Sequence, residues 1–317
     1  MTNCDTVTLS PDGFGLTKAA QVLGRGGLVA FPTETVYGLG ADARNSQAVA
    51  AIYAAKGRPS FNPLIVHLPD LTTARQFCDF TKDAEVLAQA FWPGALTLVL
   101  PLRPDAGIST LVTAGLNTLA VRVPSHPVAR DLLQAFGGPI AAPSANPSGR
   151  VSPTTAAHVL AGLSGRIDAV VDGGACDVGV ESTIIGCAGE PVLYRAGGLP
   201  LEAIEAALGR PIRSELEAGE NPSAPGQLAS HYAPMGRVRL NAHRAEDGEV
   251  LLGFGAVEGA HLNLSPSGDL TEAAARLFDC LHLLDAMTAE RIAVSPIPDH
   301  GLGRAINDRL RRAAAPR

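Results

Sequence analysis

Lysine is scarce in this chain: Lys18, Lys56 and Lys82 stand against 22 arginines among 317 residues. A lysine inside a suspected site therefore stands out, since it offers a compact point charge where arginine offers a planar fork. Long apolar runs are also missing. No stretch reaches the roughly 18 residues that a membrane-spanning helix needs. Nor is there a surplus of positive charge, the formal net charge being −6. That balance argues against a sequence-independent nucleic-acid binder, which carries a basic face, and leaves contacts with a small anion open. The five cysteines (Cys4, Cys78, Cys176, Cys187 and Cys280) are odd in number, dispersed and without a C-x-x-C pair. The N-terminal stretch MTNCDTVTLSPDGFG has neither the basic start nor the apolar core of a secretion signal. Both features predict a reduced, cytoplasmic chain. There is no G-x-x-x-x-G-K-[ST], no G-x-S-x-G and no H-E-x-x-H, and the eight histidines are scattered. A Walker loop, a nucleophile elbow and a zinc site are thus not expected.

What is present suits a folded protein. Hydrophobic residues make up 46% and charged residues 18%, enough for a good core, and the length predicts about two domains. Apolar spacing predicts helices over 17–25, 46–56, 70–78, 82–91, 126–136, 154–162 and 201–208. Strands are predicted at 28–32, 64–68, 95–102, 119–124, 139–146 and 168–174, with a hairpin from 182–186 and 191–195. This alternation, with hairpin-like pairs in it, is an α/β pattern on a mixed sheet; the strand order is not readable. The stretch 213–234 breaks all periodicity and is rich in Pro, Gly, Ser and Glu, as a linker is. Strands at 238–240, 249–255, 261–266 and 291–298, with helices at 271–287 and 305–315, then make a smaller second domain. The division reads 1–212, linker 213–234, and 235–317.

Several motifs carry chemistry. GLGADA (38–43) has the letters of a dinucleotide fingerprint, but PTETVY separates it from the preceding strand and the next helix starts near 46. That context does not fit the fingerprint. KGRPSFN (56–62) puts Lys56 and Arg58 at a helix end before a rigid turn. The pair either caps the helix, with Gly57 at C′, or clamps phosphates. PSANPSG (143–149) follows an apolar strand and is either a plain turn or an anion cradle with Ser144 and Asn146 in it. His67 lies in an apolar strand, where a lone histidine is usually a core residue. Arg122, between Val121 and Val123, needs an anionic partner because an unpaired buried charge is costly; a substrate carboxylate would serve. Ser182 and Thr183 follow Glu181 and are either strand-start hydroxyls or ligand contacts.

PTETVYGLG, the K-x-R at 56–58, the S-x-N at 144–146, ESTI (181–184) and the R-x-G of YRAG (194–197) occur in one order. Together they resemble the threonylcarbamoyl-AMP synthases, built on the YrdC-like domain. SHYAP (230–234) and GLGRAINDRLRRAA (301–314) resemble the longer members, which add a linker and a C-terminal domain. The resemblance implies a YrdC-like twisted mixed sheet followed by a smaller Rossmann-like α/β domain. It implies an enzyme joining L-threonine, bicarbonate and ATP into threonylcarbamoyl-AMP and pyrophosphate. A transferase complex would then place the threonylcarbamoyl group on tRNA. Carried over residue by residue, Lys56 and Arg58 would hold phosphates, closed by Ser144 and Asn146. Asn62, Thr118, Ser152, Arg195 and Tyr232 would contact the nucleotide. Thr35, His67, Arg122, Ala142 and Ser182 would hold threonine. Mg²⁺ is expected with ATP, and no protein metal cage. The linker is expected to act as a lid over the site. Two other readings remain: a carbamoyl-adenylate-forming enzyme of the same domain type, and an RNA-binding module.

Overall fold

The computed structural model describes residues 5–59, 62–216 and 231–316. The first domain contains β1 (Val7–Leu9), α1 (Gly13–Gly24), β2 (Val29–Phe31), β3 (Gly38–Asp42), α2 (Ser46–Lys56), β4 (Ile65–His67), α3 (Leu71–Phe77), α4 (Lys82–Phe91) and β5 (Leu96–Pro101). It continues with α5 (Thr110–Thr113), β6 (Thr118–Arg122), α6 (Pro127–Phe136), β7 (Ile140–Ala141), α7 (Ala156–Leu163), β8 (Ala169–Val171), β9 (Thr183–Gly186), β10 (Val192–Arg195), α8 (Leu201–Leu208) and β11 (Arg213–Ser214). The second holds β12 (Arg237–Arg239), β13 (Val250–Gly253), β14 (Leu262–Asn263), α9 (Leu270–Ala286), β15 (Arg291–Val294) and α10 (Gly303–Ala314). No helix among the described residues is long and apolar enough to cross a membrane.

The helices start where short polar side chains satisfy their first N–H groups. Asn45 caps α2, Asp70 caps α3, Thr81 caps α4 and Asp269 caps α9. Helix α2 ends at Gly57, which takes a left-handed conformation (φ 59°) that glycine adopts without a Cβ penalty. The capping reading of KGRPSFN is therefore correct for the glycine.

The first eleven strands form one sheet in the order β1-β8-β2-β3-β7-β4-β6-β5-β9-β10-β11. It is mixed: β4 and β6 are parallel, while β3, β7 and β4 pair antiparallel and β5 pairs antiparallel with β6. Two features depart from the sequence reading. The glycine-rich GLGAD is itself a strand, pairing with β2 and β7. A Cβ on Gly40 would press against Phe31 and Ile140, so glycine here admits close packing and serves no cofactor. The sheet also extends past 212: β11 adds to β10, and Glu215 N–H bonds Leu193 O. The expected lid lies mostly at 217–230, outside the described residues.

The second sheet is wholly parallel, in the order β12-β15-β13-β14. Helix α9 buries Ala273, Ala274, Leu277, Phe278, Leu281 and Leu284, spaced three and four apart on one face. That face joins Val36, Val151, Val180, Ala196 and Tyr232 in a single apolar cluster spanning both domains. Each large side chain fully buried there contributes about 1.5–3 kcal/mol. The approach is close at Gly179 (φ +74°), where a Cβ would collide with the backbone of Ala274 and Ala275.

Candidate active site

Several strand ends converge on one cavity. Thr33 and Thr35 follow β2, His67 and Arg122 end β4 and β6, and Ala142 to Ser144 follow β7. Glu181 and Ser182 precede β9, Arg195 ends β10, and His231 and Tyr232 close the wall from beyond the linker. Arg58 lines it as well. The register explains the neighbours: β4 and β6 run parallel with His67 opposite Arg122. The PTETVYGLG and PSAN segments are stitched by Leu39 N to Pro143 O (2.7 Å) and Ala145 N to Tyr37 O (2.8 Å).

At one end, Arg122 is 3% exposed. Its Nη1 donates to Thr35 Oγ1 (2.9 Å), its Nη2 to Glu34 Oε1 (2.7 Å) and its Nε to Gly94 O (3.2 Å). The anion that the sequence demanded is thus internal: Glu34, which also accepts from Ser125 N–H (3.1 Å). Burial alone would raise the Glu34 pKa, but the Arg122 charge, its hydrogen bond and the backbone N–H donors together outweigh it and lower the pKa, keeping the carboxyl ionised. His67 stands on Phe31 edge-on at 6.2 Å. Burial, with Arg122 beside it, pulls its pKa down to about 3, so the ring is neutral at pH 7.

At the other end, Arg195 Nε donates to Ser182 O (3.0 Å) and its Nη2 to Ser182 Oγ (3.1 Å); Ser182 Oγ also bonds Thr97 Oγ1 (2.7 Å). Gly197, the glycine of R-x-G, lies against the 181–183 backbone with no room for a Cβ. Glu181 accepts Ser152 Oγ (2.5 Å) and Arg309 Nε (2.9 Å). Burial would raise Glu181, but Arg309 and Arg195 keep its pKa below the usual carboxylate range. Tyr232, 1% exposed, stacks on Phe278 at 5.7 Å. Its φ of 61° is unusual for a residue with a side chain.

Of the residues singled out in the sequence, Thr35, Arg58, His67, Arg122, Ala142, Ser144, Ser182, Arg195 and Tyr232 line the cavity. Lys56, Asn62, Thr118, Asn146 and Ser152 are not among its lining residues. Lys56 is 3% exposed, and its ammonium donates to the carbonyls of Ser144 and Asn146, both at 2.5 Å. It binds the PSAN loop from behind; burial, then Arg58, pushes its pKa well down. Asn146 Nδ2 braces the same loop through Pro147 O and Arg150 O. Asn62 gives its carbonyl to Arg58 Nη2 (3.4 Å). Ser152 reaches the cavity only through Glu181. Thr118 begins β6 opposite Pro101, four residues and therefore about 13 Å along the strand from Arg122.

Buried polar atoms without a protein partner occur on three lining residues, Arg58 Nε, His67 Nδ1 and His231 Nδ1, and on Asn62 Oδ1 and Asn146 Oδ1 of the adjoining segments. Such atoms are rare in native interiors, and a cluster of them marks a place for a polar ligand. Burial lowers Arg58 to about 10, leaving it a cation at pH 7. Glu34, Glu181, His231 and Arg309 were not assigned roles from sequence. All four stand inside or beside quoted motifs, and only the tertiary pairing distinguishes them. Among the described residues, no group of three or more His, Cys, Asp or Glu could hold a metal ion.

Residues 21–197 match a family model, Sua5/YciO/YrdC, described as telomere recombination. Residues 199–315 match one described as the threonylcarbamoyl-AMP synthase C-terminal domain. Among curated relatives, threonylcarbamoyl-AMP synthase of Bacillus subtilis is 44% identical, covering 98% of this chain and 96% of the relative. That of Pyrococcus abyssi is 41% identical, covering 93% of each. A crystal structure of P. abyssi Sua5 complexed with L-threonine superposes with a TM-score of 0.90 at 37% identity, over 98% of this chain and 97% of that one. HypF structures, near 20% identity, share the fold over about 60% of this chain, with a TM-score of 0.53. With both domains matched in order and the cavity motifs in place, the chain belongs to the threonylcarbamoyl-AMP synthase family, in its longer, two-domain form.

Proposed function

We propose that the cavity takes L-threonine at its Arg122 end and ATP at its Arg58 and Arg195 end, and that the chain forms threonylcarbamoyl-AMP there. The observation that carries this reading is the charge layout. Three buried guanidiniums, those of Arg58, Arg122 and Arg195, face one hollow in which Glu181, the single lining carboxylate among the described residues, is already bound. Such a wall fits an amino-acid carboxylate and a polyphosphate side by side.

The chemistry balances as follows. The threonine amine and bicarbonate give a carbamate and water. A carbamate oxygen attacks the α-phosphorus of ATP, and pyrophosphate leaves with the bridging oxygen. No covalent enzyme intermediate is needed, so the protein supplies position and charge stabilisation. Arg122, fixed by Glu34, and the Thr35 hydroxyl receive the threonine carboxylate. Neutral His67 offers a ring nitrogen to the amine or hydroxyl. Arg58 and Arg195 face the phosphates, and Ser144 sits on the loop that Lys56 holds from behind. Tyr232 covers the nucleotide end and helps exclude water from a carbamate prone to lose CO₂. Mg²⁺ would enter with the triphosphate and help neutralise its charge; among the described residues the one carboxylate lining the cavity, Glu181, is engaged by Ser152 and Arg309.

The product, a mixed anhydride, requires a transferase that places the threonylcarbamoyl group on tRNA; that complex is the natural downstream partner. Cys78, Cys176, Cys187 and Cys280 are buried free thiols, which suits the reducing cytoplasm. The test is pyrophosphate release from ATP and bicarbonate with and without threonine, with the product identified by mass. Threonine-dependent release of threonylcarbamoyl-AMP is expected. Threonine-independent release would indicate carbamoyl-adenylate chemistry instead, and absence of turnover with salt-sensitive RNA binding would indicate a binding module.

A further inference from the structure

Arg309 lies on α10 of the C-terminal domain and is completely buried. Its side chain crosses to the first domain. Nε donates to Glu181 Oε2 (2.9 Å) and Nη1 to Ala196 O (2.6 Å), and its guanidinium carbon sits 5.2 Å from the Tyr232 ring centre. Asp308 takes a further bond from Nη1 (2.8 Å) and is itself held by Arg312 Nε (3.0 Å). Arg312 also donates to Leu216 O (2.9 Å), and its carbonyl accepts from His231 N–H (3.3 Å). One turn of α10 therefore grips Glu181, the turn after Arg195, and the chain on both sides of 217–230.

The Glu181 carboxylate lines a cavity read here as a triphosphate site. Like charges repel, and the cost grows in a buried setting. A Glu181 without its Arg309 partner would repel the nucleotide. The neutralising cation is supplied in large part by the other domain. We propose that Arg309 is a positioning residue through which the C-terminal domain sets the cavity's affinity for the nucleotide phosphates: nucleotide binding is strong only while α10 is docked. This inference rests on the nucleotide reading given above.

The experiment uses the full chain as Arg309→Met, Arg309→Lys, Glu181→Gln and the double variant Glu181→Gln/Arg309→Met. Pyrophosphate release is followed against ATP and against threonine, with thermal midpoints measured alongside. Arg309→Met should raise the KM for ATP about tenfold or more, while the KM for threonine moves by less than about twofold. Arg309→Lys, which keeps the charge but not the fork, should fall between. The double variant should recover most of the lost ATP affinity, because the carboxylate it would have exposed is gone. Equal rises in both KM values, or a double variant as impaired as Arg309→Met, would make Arg309 merely structural and overturn the proposal. If Arg309→Met does not fold, the lysine variant decides alone: an unchanged ATP KM overturns the proposal and a selective rise supports it. Wild-type protein without threonine-dependent release would instead refute the reading of the cavity, and this proposal with it.

Discussion

Two buried arginine–glutamate pairs hold the two ends of the cavity, and they are built in opposite senses. At the Arg122 end, proposed above for threonine, the cation faces the hollow and Glu34 stands behind Arg122, at 2.7 Å. At the Arg195 end, proposed above for the nucleotide, the anion faces the hollow and Arg309 stands behind Glu181, at 2.9 Å. The first pair lies within one domain; the second crosses between two. The difference separates two tasks. The Arg122 end, proposed for threonine, has a charge pair that does not depend on the second domain. At the other end, proposed for the nucleotide, the Glu181 carboxylate has its ion pair from the second domain. The remaining cations of that end, Arg58 and Arg195, can then act on phosphates instead of on Glu181.

Breaking the first pair should have the largest effect. Arg122→Met strands a buried Glu34, so a stability loss of about 3–5 kcal/mol is expected in denaturant unfolding. Threonine-dependent turnover should vanish with it. Adding Glu34→Gln should restore much of the stability and none of the turnover; recovered turnover would refute Arg122 as the carboxylate receptor.

Loosening the second pair by a remote route is the next test. Gly179→Ala puts a Cβ into the α9 backbone at a left-handed residue, which should cost about 1–3 kcal/mol. If docking governs the nucleotide end alone, the ATP KM rises and the threonine KM does not. Lys56→Met should cost a similar amount, about 1–3 kcal/mol for two lost hydrogen bonds at about 0.5–1.5 kcal/mol each. Its rate loss should come through displacement of the Ser144 loop, visible as faster amide exchange at 144–148. An unchanged loop together with a lost rate would return Lys56 to direct phosphate contact.

The smallest effect concerns pH. His158 of α7 and His282 of α9 stack across the domain boundary at 3.9 Å, with Asp279 3.6 Å from His158 Nε2 and His282 Nε2 3.1 Å from Ser152 O. Burial, with His282 beside it, pulls His158 from 6.5 down to about 4, and burial lowers His282 as well; Asp279 and Asp285 oppose this only in part. Both rings are thus neutral when the domains are docked and take up protons when they part. The His158 share of this stability is complete above pH 6.5, declines as pH falls, and stops changing below about 4, and the His282 share falls in the same direction. The thermal midpoint should follow that curve, and a His158→Gln/His282→Gln variant should flatten it. An identical curve in the double variant would remove the stack from the account.

The sequence made the walls of the cavity legible and left their bracing hidden. PTET, PSAN, ESTI and YRAG could be recognised because turns and strand ends of fixed residue type recur in one order. The partner of each buried charge could not, since Glu34 and Arg122 lie 88 residues apart and Glu181 and Arg309 128 apart. Which carboxylate meets which guanidinium is decided by strand order and domain docking, and no local pattern encodes either. Lys56 shows the same limit: its scarcity and spacing marked it, but only the fold turns its ammonium to two carbonyls. GLGAD hid as a strand because glycine disfavours strands, and the packing of Phe31 on Gly40 that requires it is a tertiary fact.

The most direct measurement is the crossed pair of saturation curves for Arg122→Gln and Arg195→Gln, with ATP and threonine each varied in the pyrophosphate assay. The account predicts that Arg122→Gln raises the KM for threonine and spares that for ATP, and that Arg195→Gln does the reverse. Both variants losing affinity for the same substrate, or neither discriminating between the two, would contradict a cavity with a threonine end and a nucleotide end.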